Sequence, residues 1–152
     1  MQWMFLPLKR YFDFSGRSRR LEFWMFALLN LIVYTVIGIA FLGTGSALQD
    51  LEAGTSNDPS TAYSVIFGGV GMLFLLWGVI VLIPSIAVSV RRLHDRDMTG
   101  WWYLGFIILS GIPLIGFVVA IAFIVIMALP GTPGPNKYGP SPKEQVTAAT
   151  FE

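Results

Sequence analysis

The densest polar run in this 152-residue chain is Arg91-Arg92-Leu93-His94-Asp95-Arg96-Asp97. A histidine beside two carboxylates is the minimum for acid–base chemistry or for part of a metal site. Adjacent arginines suit a phosphate, because the guanidinium fork matches two phosphate oxygens. The spacing argues against the first two uses. Neighbouring residues on a helix point apart, so His94 and Asp95 do not grip one ion, and a metal site needs three or four ligands. On a helix that continues this far, Arg91 and Asp95 stand at i and i+4 and can pair. The chain has no cysteine to act as nucleophile or thiolate ligand. The expectation is therefore no catalytic residue, no metal and no cofactor, with headgroup contact and local salt bridges as the use of this run.

A second basic run, Arg17, Arg19 and Arg20 with Glu22 just behind, precedes the first long apolar stretch. Joined to the central run it gives a candidate set for an anionic headgroup or ligand: Arg17, Arg19, Arg20, Glu22, Arg91, Arg92, His94 and Asp95. These residues form one site only if the elements between them return to one face.

Those elements are three hydrophobic segments, Phe23–Leu42, Tyr63–Val90 and Trp101–Leu129, and all nineteen charged side chains lie outside them. About 20 apolar residues cross the ~30 Å hydrocarbon layer as a helix. Lipid offers no partner for a free N–H or C=O, so the segments must be helical. The first run is too long for a cleaved signal peptide and is expected to be retained. Only 12% of residues are charged and 55% are hydrophobic, against about 25% charged in an ordinary soluble domain. A net charge of +1 speaks against a nucleic-acid partner.

The charges flanking the segments suggest an orientation. The N-terminal stretch and the connection Arg91–Gly100 are basic, whereas the connection 43–62 holds Asp50, Glu52 and Asp58 and no basic residue. The positive-inside rule places the N-terminus and the second connection in the cytoplasm. From Pro7 onward, Leu8, Tyr11 and Phe12 share one helical face and Lys9, Arg10 and Asp13 another, the pattern of a short interfacial helix. Pro84 predicts a kink in the second segment. Gly111-Ile112-Pro113 can break the third, leaving a re-entrant first half.

No intramembrane charge is present to serve an ion or proton pathway, which ranks transport lowest. Asn30 reads as interhelical glue, and Gly68, Gly71, Gly78 and Gly116 as points of close helix packing.

Three motifs in order resemble a bacterial inner-membrane family catalogued as domain of unknown function 805. They are Phe14-Ser15-Gly16-Arg17-Ser18-Arg19-Arg20-Leu21-Glu22-Phe23-Trp24, then Arg91-Arg92-Leu93-His94-Asp95 with Thr99-Gly100-Trp101-Trp102, then Pro130-Gly131-Thr132-Pro133-Gly134-Pro135-Asn136-Lys137-Tyr138-Gly139-Pro140. Serine is commoner at the position of Thr99, arginine at Lys137 and aspartate at Ser141. The resemblance runs from about Tyr11 to Pro142 and implies a small polytopic inner-membrane protein without an established activity. It supplies no catalytic residues.

The sequence thus predicts an all-α integral membrane protein of three transmembrane helices plus an N-terminal interfacial helix, with residues 1–142 as one membrane domain and 143–152 as a tail. The leading function is non-enzymatic, through helix packing and contacts to anionic headgroups or a partner. The partners expected are membrane lipids, another membrane protein or a second copy. The alternative is a membrane-embedded enzyme or binding protein for a phosphorylated lipid, centred on His94 and Asp95.

Overall fold

The computed structural model describes residues 2–43 and 69–142, and every regular element among them is a helix. The elements are α1 (Gln2–Lys9), α2 (Arg20–Gly43), α3 (Gly69–Asp95), α4 (Trp101–Ser110) and α5 (Ile115–Ala128). Gly68, the acidic connection and the 143–152 tail lie outside the described residues. At 1.5 Å per residue, α2 is ~36 Å long and α3 ~40 Å. These two are long and apolar enough to cross a membrane. α4 and α5, at ~15 and ~21 Å, each fall short of the ~30 Å hydrocarbon layer.

The third apolar segment is two helices rather than one, and its break has a local cause. Pro113 brings no N–H, so it cannot extend the ladder of α4. The chain leaves α4 through tight turns in which the N–H groups of Gly111 and Ile112 donate to Ile108 and Leu109. A γ-turn then reverses it: Ile115 N–H donates to Pro113 O at 2.8 Å across Leu114, which sits at φ 66°, ψ −50°. This left-handed turn is rare and strained for a residue with a side chain. Gly116 follows where a β-carbon would strike the Ser110 carbonyl, so its role is at this reversal.

α1 begins earlier than the Leu8/Tyr11/Phe12 pattern predicts and ends at Lys9. Pro7 lies inside it. The first four N–H groups of a helix have no intrahelical partner, so only the single bond at Pro7 itself is lost.

The described chain forms two compact units. In the first (Met1–Phe26 and Ile83 onward) the α4–α5 hairpin packs through aromatic edges: Phe106 and Phe123 meet edge-on at 5.4 Å, and Tyr103 lies 6.1 Å from Phe123. In the second (Ala27–Leu82) α2 and α3 run side by side. Trp77 Nε1 donates to Asn30 Oδ1 at 3.1 Å, Tyr34 stacks on Phe74, and the Tyr34 hydroxyl lies beside Gly78 with room for a β-carbon. Both groups of that hydrogen bond would be costly if left unpaired in lipid.

Burial is inverted relative to a water-soluble protein. Arg91 and Arg92 are 0% exposed, and Arg17, Glu22 and Asp95 are also buried. Trp101, Ile108, Phe117 and Val118 are exposed, with Leu114 at 89%. Charged residues are almost never fully buried in soluble domains unless paired, and so much exposed apolar surface signals an apolar surround.

Candidate functional site

The three polar motifs converge within the first unit. α3 continues past its apolar stretch for one more turn, carrying Arg91, Arg92, His94 and Asp95 to its C-terminal end. Arginine and histidine there complement the negative end of the helix dipole. Glu22 stands correspondingly in the first turn of α2. Asp97 ends the turn at φ 60°, a conformation aspartate tolerates better than most residues. The N–H groups of Arg96 and Met98 close onto Leu93 O.

Asp95 is the centre of the arrangement. Its Oδ1 accepts from Arg17 Nε at 2.9 Å, and its Oδ2 accepts from Arg92 Nη1. Arg91 does not pair with Asp95 across the i, i+4 spacing. Its Nη2 lies 2.9 Å from Glu22 Oε1 instead. That contact is an ion pair without a well-directed hydrogen bond, and Arg91 Nε and Nη1, although buried, have no partner among the described residues. Ser18 N–H donates to Arg91 O at 3.1 Å, fastening the turn before α2 to α3. His94 uses Nδ1 against Gly16 O at 3.2 Å and stacks flat on Tyr138, ring centres 3.8 Å apart.

The other half of the site is the segment after α5. Its prolines supply carbonyls but no N–H donors, so acceptors are in excess. Arginines from three places make up the deficit. Arg92 donates to Met127 O (3.1 Å) and to Leu129 O, and Arg20 to Ala128 O (3.2 Å). Arg96 donates to Pro130 O (2.5 Å). Arg17 donates to Thr132 O (2.6 Å) and Gly134 O (2.7 Å), and Arg19 to Pro142 O (2.9 Å). The first of these acceptors are the orphan carbonyls at the end of α5, where cations are favoured by the dipole.

Backbone contacts lock the segment further. Thr132 N–H donates to Asp95 O at 2.9 Å, and Asn136 Nδ2 to His94 O at 2.9 Å. Asn136 and Gly139 exchange backbone bonds at 3.0 Å, making a two-residue turn that presents Tyr138 to His94. Gly131 passes so close to the Asp95 carboxylate that any β-carbon would overlap it. At the other edge, Asp13 accepts from Arg10 at 2.7 Å and from the Ser15 hydroxyl at 2.6 Å. The Ser15 bond, ahead of the Arg10 contacts, holds the Asp13 carboxyl down at about 2.

All eight residues of the candidate set therefore meet, but most face one another. Arg17 and Arg92 donate to carbonyls and to Asp95, and His94 is covered by Tyr138. Arg19 and Arg20, with Leu21, Trp24 and Ala128, line an open groove of about 490 Å³. The sequence reading did not single out Thr132, Asn136 or Tyr138 as individuals. Their signal was the donor-poor proline run that had to be satisfied from elsewhere.

An inverted distribution of charge and apolar surface, two long apolar helices and an arginine-braced polar face define a small helical membrane protein. The chain belongs to the family described as "Protein of unknown function (DUF805)", whose model matches residues 11–140. It is 39% identical over 143 residues to "Inner membrane protein YhaH" of Escherichia coli K12, a match covering 94% of this chain and 98% of that protein. It is 38% identical to "Inner membrane protein YhaI" of the same strain, over 94% and 97% of the two chains. Identity to "Uncharacterized protein YiiR" of that strain is 31% over 84% of each chain. No solved structure matches the chain.

Proposed function

We propose that this protein is a non-enzymatic inner-membrane protein that crosses the bilayer twice, through α2 and α3, and inserts α4–α5 as a re-entrant hairpin. Its N-terminus, the α3–α4 connection and the segment after α5 share the cytoplasmic face, with α1 lying in the interface. The observation that carries this is the bond set around Arg92. It joins the last turn of α3 to the last turn of α5, and a helix that leaves and returns to one level cannot have crossed in between. The basic flanks support the cytoplasmic assignment, and the names of the inner-membrane relatives support the compartment.

At that face the protein holds anionic phospholipid. Arg20 is exposed beside exposed Trp24, a cation and an interfacial aromatic at one groove. The alternative centred on His94 and Asp95 gains no support from groups that are already paired or stacked. Paired reporters fused after Glu152, one active only in the cytoplasm and one only outside, test the topology; the cytoplasmic one should respond, and an outside response sinks the hairpin. In nanodiscs of mixed lipid, Arg20→Gln should reduce retained phosphatidylglycerol severalfold by native mass spectrometry. Unchanged retention sinks the headgroup contact.

A further inference from the structure

A second cavity, of about 260 Å³, is bounded by α1, the first turn of α2 and the Tyr138 turn. Its walls combine fixed cations with an aromatic face. Trp3, Leu6 and Arg10 stand at i, i+3 and i+7, so α1 and the turn that continues it present them together. Arg10 is held by Asp13 through Nε and Nη2, and Arg19 by Pro142 O through the same two nitrogens while it lies 5.4 Å over the Trp3 ring. Among the described residues neither Nη1 has a hydrogen-bond partner. Glu22 also lines the cavity, 2% exposed, and its Oε1 accepts no hydrogen bond. That oxygen sits 2.9 Å from Arg91 Nη2 as an ion pair with no directed hydrogen bond, and a buried acceptor left so calls for a further donor. The lining favours an anion: it holds three arginines, Arg10, Arg17 and Arg19, and one carboxylate, Glu22.

We propose that this cavity binds a small phosphate ester carrying a hydroxyl or ammonium group a few bonds from the phosphorus. The phosphate lies on the free edges of Arg10 and Arg19, the donor on Glu22, and the carbon skeleton against Trp3. A water takes about 30 Å³, so the space holds a phosphate with a two- or three-carbon substituent. Free esters and glycerophospholipid headgroups share this chemistry. The inference stands apart from the groove contact proposed above, because Arg20 and Trp24 do not line this cavity.

The test is calorimetric titration of the full chain in neutral detergent with glycerol 3-phosphate, phosphoethanolamine and methyl phosphate, the last having no donor. A parallel arm measures phosphatidylglycerol retained in phosphatidylcholine nanodiscs. At least one donor-bearing species should bind saturably at one site. Among the free esters, methyl phosphate should bind at least tenfold more weakly. Arg10→Gln should weaken binding tenfold or more, and Leu6→Trp, which fills the space without changing charge, should abolish it. Binding of the free esters identifies a soluble source, and lipid retention that Arg10→Gln and Leu6→Trp remove identifies the headgroup. Absence of saturable binding in both arms overturns the proposal. So does methyl phosphate matching the donor-bearing esters, or binding that survives Leu6→Trp in a variant that melts like the parent.

Discussion

The Glu22–Arg91 pair sets what single residues can do here. Both groups are buried, and removing one partner of a buried pair leaves the other charge uncompensated, at about 3–5 kcal/mol. Glu22→Leu should therefore lower the thermal midpoint in detergent sharply. Replacing both by leucine should recover most of the loss, as measured by a double-mutant melting series. Asp13 behaves differently, being only partly buried and held down at about 2, below its ordinary 3.8. A depressed carboxylate pKa contributes stability that is complete above the unfolded value and is lost as pH falls through the folded one. The Arg10–Asp13–Ser15 turn should accordingly hold above about pH 4 and open between pH 4 and 2. Carboxyl NMR titration in micelles would report a midpoint near the free value if the Ser15 bond were absent.

At the scale of elements, the hairpin turn stores strain where the sequence is otherwise unremarkable. Leu114 at φ 66° belongs to a class of conformations costing about 1–3 kcal/mol, which glycine relieves. Leu114→Gly should raise the melting midpoint, and Gly116→Ala should lower it by driving a methyl group into Ser110 O. Both shifts are read in one thermal series. The break itself was legible, because a proline two residues after a glycine inside an apolar run has few other outcomes. That α4 and α5 then turn back was legible only as one of two outcomes. It depends on carbonyls at Met127 and Leu129 finding Arg92, thirty-five and thirty-seven positions away in sequence. The polar residues that meet were likewise readable as types, since uncommon charges in an apolar chain draw the eye. Their pairing was not: helical spacing offers Asp95 to Arg91, but the arrival of Arg17 from before α2 gives Asp95 to Arg17 and Arg92.

Taken whole, the first unit is closed by its last described residues. The 130–142 segment satisfies Arg17, Arg19 and Arg96 and packs Tyr138 on His94. A chain ending after Pro142 should retain the parent's melting profile, whereas one ending at Leu129 should be cleared rapidly by proteases in cells, as pulse-chase would show. This dependence also orders events during synthesis. The segment leaves the ribosome after every apolar helix has been delivered to the bilayer, so until then the buried arginines stand open. Completion of this segment thus sets when the cationic face can close, and a copy terminated before it leaves open the arginines that a longer copy covers.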